Sequence, residues 1–339
     1  MVVKAAEATS LAVGGLRPLD PSRDLKAVAD LVAEAFADEI DERGRAALRE
    51  MRWMARLSPL VWWLSQADPD FQESFNGFVW EEPRPRGKGL QVVGNVSLNR
   101  APGDRLWWII ANVVVEREYR GRGIGQRLVQ AAIDEARELG ARGTVLQVYE
   151  DNLRALRLYT DLGFREAGGE VELWREAVPT VAILDAPGYQ LRPWQAADGE
   201  AAYDLARRAT PIALQWLRPL RPEVYRLSGL GRFGEWLSSL VTGQRTYRLA
   251  AWQGEQLAAL LTVVAALRRG EHRLALLVHL DQTGRVEAAL ISRALYMLAG
   301  APSQPVRVTV GTGNPAALKV LGDYGFARRR TLLTLRRDF

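Results

Sequence analysis

The chain has 339 residues, 48% of them hydrophobic and 25% charged, which excludes a mainly disordered protein and leaves room for two domains. A net charge of +5 permits an anionic ligand but lacks the cationic density of nucleic-acid binders, so no nucleic-acid partner is expected. There is no cysteine, and the only histidines are His272 and His279, so disulfides, thiolate metal sites, cysteine nucleophiles and a Ser-His-Asp triad in the first half all fall away, and no metal is expected.

The N-terminal MVVKAAEATSLAVGG has no signal-peptide core, and no apolar run approaches the roughly 20 residues of a membrane span. The expectation is a cytoplasmic protein with no membrane partner. Residues 16–19 read as a short strand that Pro18 confines to an edge or a strand end. Helical spacing follows over about 23–38 and 42–65. Three strands come next, 75–82, 90–100 and 106–116, separated by the turn-rich stretches PRPRGKG and APGD. The turn REYRGRGIG opens a helix over 126–140, and TVLQVYE, 144–150, is a strand. Asn152 then caps a short helix over 153–161, ended by Gly163, and VELWRE, 171–176, returns as a strand.

Residues 177–188, AVPTVAILDAPG, read as a linker, after which the pattern restarts. YQLRPW echoes GLRPLD, helical stretches run over 198–242, and strands are expected at 246–253, 256–267, 272–281 and 306–312. Helices are expected over 285–299 and after Asn314. An ungapped register of 162 aligns DNLRALRLYTDLGF with GNPAALKVLGDYGF. Asn152, Ala155, Leu156, Asp161, Gly163 and Phe164 then match Asn314, Ala317, Leu318, Asp323, Gly325 and Phe326, while Tyr159 faces Leu321. A repeat this long points to duplication of a whole domain, in the α/β (α+β) class.

The stretch VVVEREYRGRGIGQRL takes a strand through a glycine-bearing turn into a helix. That geometry gathers free backbone N–H groups and the positive end of a helix dipole, and glycines let a phosphate approach closely. It is neither G-x-G-x-x-G nor a P-loop. With Arg120-x-x-Gly123-x-Gly125 followed by Asn152-x-x-Ala155-x-x-x-Tyr159-x-x-x-Gly163-Phe164, the chain resembles the GNAT superfamily of N-acetyltransferases. The resemblance covers residues 15–176 in full and 189–339 in outline. It implies two tandem acetyltransferase-like domains, each with a mixed, mostly antiparallel sheet flanked by helices: 1–176 intact, 177–188 a linker, and 189–339 degenerate.

The same resemblance implies acetyl-CoA as cosubstrate and direct acetyl transfer to an amine of a small molecule or peptide. Arg120, Gly121, Arg122, Gly123, Ile124, Gly125 and Gln126 would hold the pyrophosphate, with Val113 and Val115 offering backbone hydrogen bonds to the pantetheine arm. Tyr159 would meet the cofactor as general acid for the departing sulfur, since a phenol of pKa about 10 stays protonated at neutral pH. Asn152 is explained equally by capping and by a cofactor contact. The general base is not chosen by the resemblance: Glu81, Glu82 and Glu116 lie on or beside the central strands, and Glu81 and Glu116 are carried forward. Trp62, Trp63, Trp107 and Trp108 read as core packing ahead of an acceptor pocket.

In the second half only Gly284 remains of the turn and Leu321 stands at the acid position, so cofactor binding is expected to be lost there. That half is left to shape the acceptor site, pack against the first half or form a homodimer face. A non-catalytic acyl-CoA-binding or regulatory module is the rival reading.

Overall fold

The strands form where β-branched and aromatic residues cluster between turn residues, close to the expected bounds. The computed structural model describes residues 14–35, 49–50, 52–53, 75–85, 89–226, 243–268 and 270–339. Most of the helix expected over 42–65, with Trp62 and Trp63, lies outside these residues, as does the end of the helical region 198–242.

The chain divides into two compact units, one of residues 1–146, 161–163 and 337–339, the other of 147–160 and 164–336. The first unit contains β1 (Gly15–Pro18), α1 (Pro21–Ala35), β2 (Gly77–Pro83), β3 (Leu90–Arg100), β4 (Trp107–Val115), α2 (Ile124–Glu138) and the start of β5 (Gly143–Tyr149). Its strands run in the order β1-β2-β3-β4-β5, antiparallel except for the parallel pair β4 and β5. Side chains alternate across a strand. Given the register shift at Val93, the side chains of Val79, Val92 and Val114 meet α1 on one face, while Gly94 and Trp80 face α2 on the other. α2 buries Leu128, Val129, Ala132, Ile133 and Ala136 at helical spacing, each larger side chain worth roughly 1.5–3 kcal/mol of transfer free energy. A Cβ on Gly94 would sit 3.0 Å from Leu128 Cδ1, so glycine there lets the helix lie close to the sheet.

The second unit contains most of α3 (Leu153–Asp161), β6 (Arg165–Arg175), β7 (Gln190–Pro193), α4 (Gly199–Ala209), α5 (Ile212–Leu217) and α6 (Pro222–Tyr225). It continues with β8 (Gln244–Gln253), β9 (Gln256–Ala266), β10 (His272–Val278), α7 (Glu287–Ala299), β11 (Val306–Gly311), α8 (Pro315–Asp323) and β12 (Ala327–Asp338). The strand order is β12-β6-β11-β10-β9-β8-β7. α7 and α8 pack on the face that carries Leu261, Leu274 and Val308, and α4 on the face that carries Ala250, Leu257 and Leu260.

Two features depart from the expected layout. β6 begins at Arg165 rather than 171, running straight through Gly168-Gly169, a pair that resembles a turn. A Cβ on Gly169 would lie 2.8 Å from Leu332 O, so glycine serves the close approach of β12. β6 also pairs on both sides with strands from the last part of the chain, β11 and β12. The arginines at 328–330 are partly exposed positions of β12, and their carboxylate partners are Glu150 and Glu172.

The repeat extends to fine detail. Arg17 grips Asp24 with both guanidinium nitrogens at 2.6 and 2.7 Å, and Arg192 grips Asp198 the same way at 2.7 Å each. The bulge at Val93 of β3, opposite Trp80 and Glu81, recurs at Ala258 of β9, opposite Ala251 and Trp252. Glu116 N–H donates to Val93 O at 2.8 Å, and His279 N–H to Ala258 O at 2.8 Å. Among the described residues no helix is long and apolar enough to cross a membrane.

Candidate active site

β4 is the strand that builds the site in the first unit. It pairs with β3 along most of its length, but its parallel pairing with β5 ends at Ile109 and Val145. From Ile110 to Val115 that edge of β4 has no strand partner among the described residues. The register against β3 shifts between Asn95 and Ser97, and Asn112 adopts φ 51°, a left-handed conformation that asparagine tolerates better than most residues. Asn95 Nδ2 donates to Asn112 O at 3.0 Å and secures the bulge. Because Glu116 N–H points to β3, the amide of Val115 points the other way, along the open edge. Val113 lies two residues before it on the same bulged segment.

The chain then makes a single 3-10 turn, Arg117–Tyr119, and enters α2 through Gly121 and Gly123, at φ 86° and 77°. A Cβ at either glycine would meet nothing within 4 Å, so the glycines serve the backbone conformation and leave open space above the turn. Arg127 N–H is the first to bond back, to Gly123 O at 3.1 Å. The N–H groups of Gly121, Arg122, Gly123, Ile124, Gly125 and Gln126 have no hydrogen-bond partner among the described residues. They converge at the positive end of a 15-residue helix. An anion with several oxygens fits such a cradle.

Around the turn, Arg120 Nε donates to Val115 O at 2.8 Å, tying the strand end to the loop. Arg122 stacks over the Tyr119 ring at 4.9 Å, and Tyr119, buried, accepts from Gln91 Nε2 at 3.0 Å. Tyr119, Gln91 and Asn112 support the turn and bulge, and of these only Tyr119, within the run that leads into the turn, stood out in the sequence. For the other two, the αL tolerance of asparagine was the only signal.

The candidate bases separate by environment. Glu81 is buried and held by Arg17 Nη2 at 2.9 Å and by Arg23. The Arg17 hydrogen bond, joined by Arg23, keeps its carboxyl below the usual carboxylate range despite burial. A carboxylate so committed is a poor proton acceptor, which weighs against Glu81 as a base. Glu82 accepts from Trp80 Nε1 at 2.9 Å. Glu116, at the end of β4, pairs with no cation among the described residues, and burial pushes its carboxyl up, aided by Glu118 and Glu34. Trp107 and Trp108 are both buried, as expected of core residues. His272 is structural: its Nδ1 accepts from Ala266 N–H at 3.1 Å, so its Nε2, 3.1 Å from Pro302 O, carries the proton.

Asn152 and Tyr159 fall in the second unit. Asn152 Oδ1 accepts from Ala155 N–H at 3.1 Å and caps α3, as Asn314 Oδ1 caps α8 at 2.9 Å from Ala317 N–H. Tyr159 is buried against Phe164 in an edge contact with ring centroids 5.8 Å apart. Burial pushes its phenol up to about 12, so it is protonated at every physiological pH. Leu321, its counterpart in the repeat, is wholly buried in the apolar core.

Residues 42–164 match the family model of the GNAT acetyltransferases. This segment, about a third of the chain, is similar to that family. Among curated proteins it is 29% identical over 170 residues to a mycothiol acetyltransferase of Parafrankia, a match covering 48% of this chain and 49% of that protein. It is 40% identical over 62 residues to N-alpha-acetyltransferase 30 of Schizosaccharomyces pombe, covering 18% of this chain and 41% of the other. The chain thus spans about half or less of the length of these relatives. A solved GCN5-related N-acetyltransferase of Sphaerobacter thermophilus shares the fold, with a TM-score of 0.54, 18% identity and 95% of each chain covered.

Proposed function

We propose that the chain is an acetyl-CoA-dependent N-acetyltransferase that passes the acetyl group directly to a primary amine of a small molecule or peptide, at a site in its N-terminal half. The supporting observation is the turn at Gly121–Gln126, where free N–H groups meet two left-handed glycines beside an unpaired strand edge. In this reading the turn receives the pyrophosphate, the edge at Val113 and Val115 receives the pantetheine amides, and the Val115 N–H polarises the thioester carbonyl.

Acetyl-CoA supplies an activated acyl group; the chain supplies position and proton transfer. The amine nitrogen bonds to the acyl carbon as the carbon–sulfur bond breaks. Glu116, its carboxyl raised toward neutrality, takes the amine proton through a bridging water, and Tyr159 gives its proton to the departing thiolate. Direct transfer needs no covalent nucleophile, in keeping with a chain that has no cysteine. The test is thiol release from acetyl-CoA against a panel of primary amines. Release that depends on one amine class, with the acetylated amine identified by mass, supports the reading. Tight acetyl-CoA binding with no release for any amine would favour a non-catalytic acyl-CoA-binding module.

A further inference from the structure

The second unit holds a cavity of about 560 Å³ between β10 and β11. The two strands pair only from His272/Val306 to Ala275/Thr309. β9 goes on pairing with β10 to Val278, and β6 with β11 to Gly311, so only the facing edges come apart. Amide groups of successive strand residues point to alternate sides. Some N–H and C=O groups of Leu276–Val278 and Val310–Gly311 therefore face the gap without a strand partner, and such edges are templates for an added strand.

The walls carry charges of both signs. Arg218 Nη1 lies 3.0 Å from Glu170 Oε2, and Arg330 Nη2 lies 3.4 Å from Glu172 Oε2. Thr283, also on the wall, leads into the turn before α7. There Gly284, at φ 88°, matches Gly121, but Val286 and Glu287 replace Gly123 and Ile124. The Glu287 carboxylate is buried and accepts from Gly284 N–H at 2.9 Å through both oxygens and from Val286 N–H at 3.2 Å. The turn has thus filled its own anion position. A phosphate brought there would find its donors taken and a like charge in its place.

We propose that the gap between β10 and β11 binds a short unphosphorylated peptide. Its backbone pairs with the two free edges, and its charged ends meet the Glu170–Arg218 and Glu172–Arg330 pairs. The three free positions of β10 limit the paired stretch to about two or three residues at ~3.3 Å each. Glu287 makes the site selective, admitting amides and excluding diphosphates.

Trialanine is a suitable probe, with amide hydrogen exchange of the whole chain as the readout. The expected result is slowed exchange in 272–283 and 306–314 with millimolar trialanine, unchanged by saturating CoA. Thr312→Trp, which fills the cavity, should abolish the effect while the far-ultraviolet circular dichroism stays native. If that variant misfolds, Arg218→Ala should raise the trialanine concentration needed by a few-fold. Absence of slowed exchange with trialanine, slowed exchange there with CoA alone, or a response that survives both substitutions would each overturn the proposal.

Discussion

Tyr159 and Leu321 occupy the same position in the two copies of the repeat, and both are buried, at 6% and 0% exposure. Packing alone would be served by either side chain. The hydroxyl is what distinguishes the first copy, and burial keeps it protonated. Tyr159→Phe retains the ring contact with Phe164, so stability should hardly change. Its kcat should fall by about 10²-fold or more with little change in the acetyl-CoA KM. Steady-state kinetics and a melting curve decide this, and an unaltered kcat removes Tyr159 from the mechanism. If Glu116 is the base, as proposed, it should set the acid side of the pH profile. Its carboxyl is raised by burial, so the working carboxylate is lost as pH falls through a value above the ordinary range. Glu116→Gln should lower kcat/KM near neutrality and flatten that acid limb; an unchanged limb would point to another base. At this scale the sequence was partly legible. Tyr159 stood out through its mismatch in the repeat, whereas the candidate glutamates could be separated only by their neighbours in space, Arg17 and Arg23 for Glu81 and, among the described residues, only the like charges Glu118 and Glu34 for Glu116.

The element that carries the proposed site is the strand–turn–helix from β4 to α2, and its second copy differs at the positions the proposal uses. In β10 the register against β9 runs without a shift, while β4 has its bulge at Asn112. At the turn, Gly123 in a left-handed conformation is replaced by Val286 at φ −121°. Gly123→Val in the first copy meets no steric wall, since nothing lies within 4 Å of the added Cβ. Its cost is the left-handed backbone, about 1–2 kcal/mol, or a turn that reorients its N–H groups. Acetyl-CoA affinity, measured by calorimetry, should fall about tenfold or more while melting drops by only a few degrees. Retained affinity would mean that the turn does not hold the diphosphate. The glycine turn was legible because backbone conformation is written in residue type. The bulge at Asn112 and the self-filled turn at Glu287 were not, since each depends on which distant or neighbouring amides a side chain meets.

For the whole molecule, the repeat predicted two halves meeting at a linker, and the order of elements within each half follows that plan. Local patterns do not encode which strand lies beside which, because register and partner are set by non-local faces. β6, read as the last strand of the first half, is flanked by β11 and β12 from the second. Calorimetric titration should find one acetyl-CoA per chain, because the second turn is occupied by Glu287; two sites would refute this. A fragment ending at residue 182 would keep β6 but leave both its edges bare, so it should aggregate alone and recover solubility when residues 183–339 are co-expressed. A soluble, monomeric fragment would contradict that expectation. The flanking of β6 also bears on the history of the chain. Under the proposal that only the first copy is active, the second would ordinarily be free to be deleted, yet deletion would strip β6 of both its neighbours. On the proposed reading, changes that closed the second turn with Glu287 could be tolerated, whereas changes that removed β11 or β12 could not.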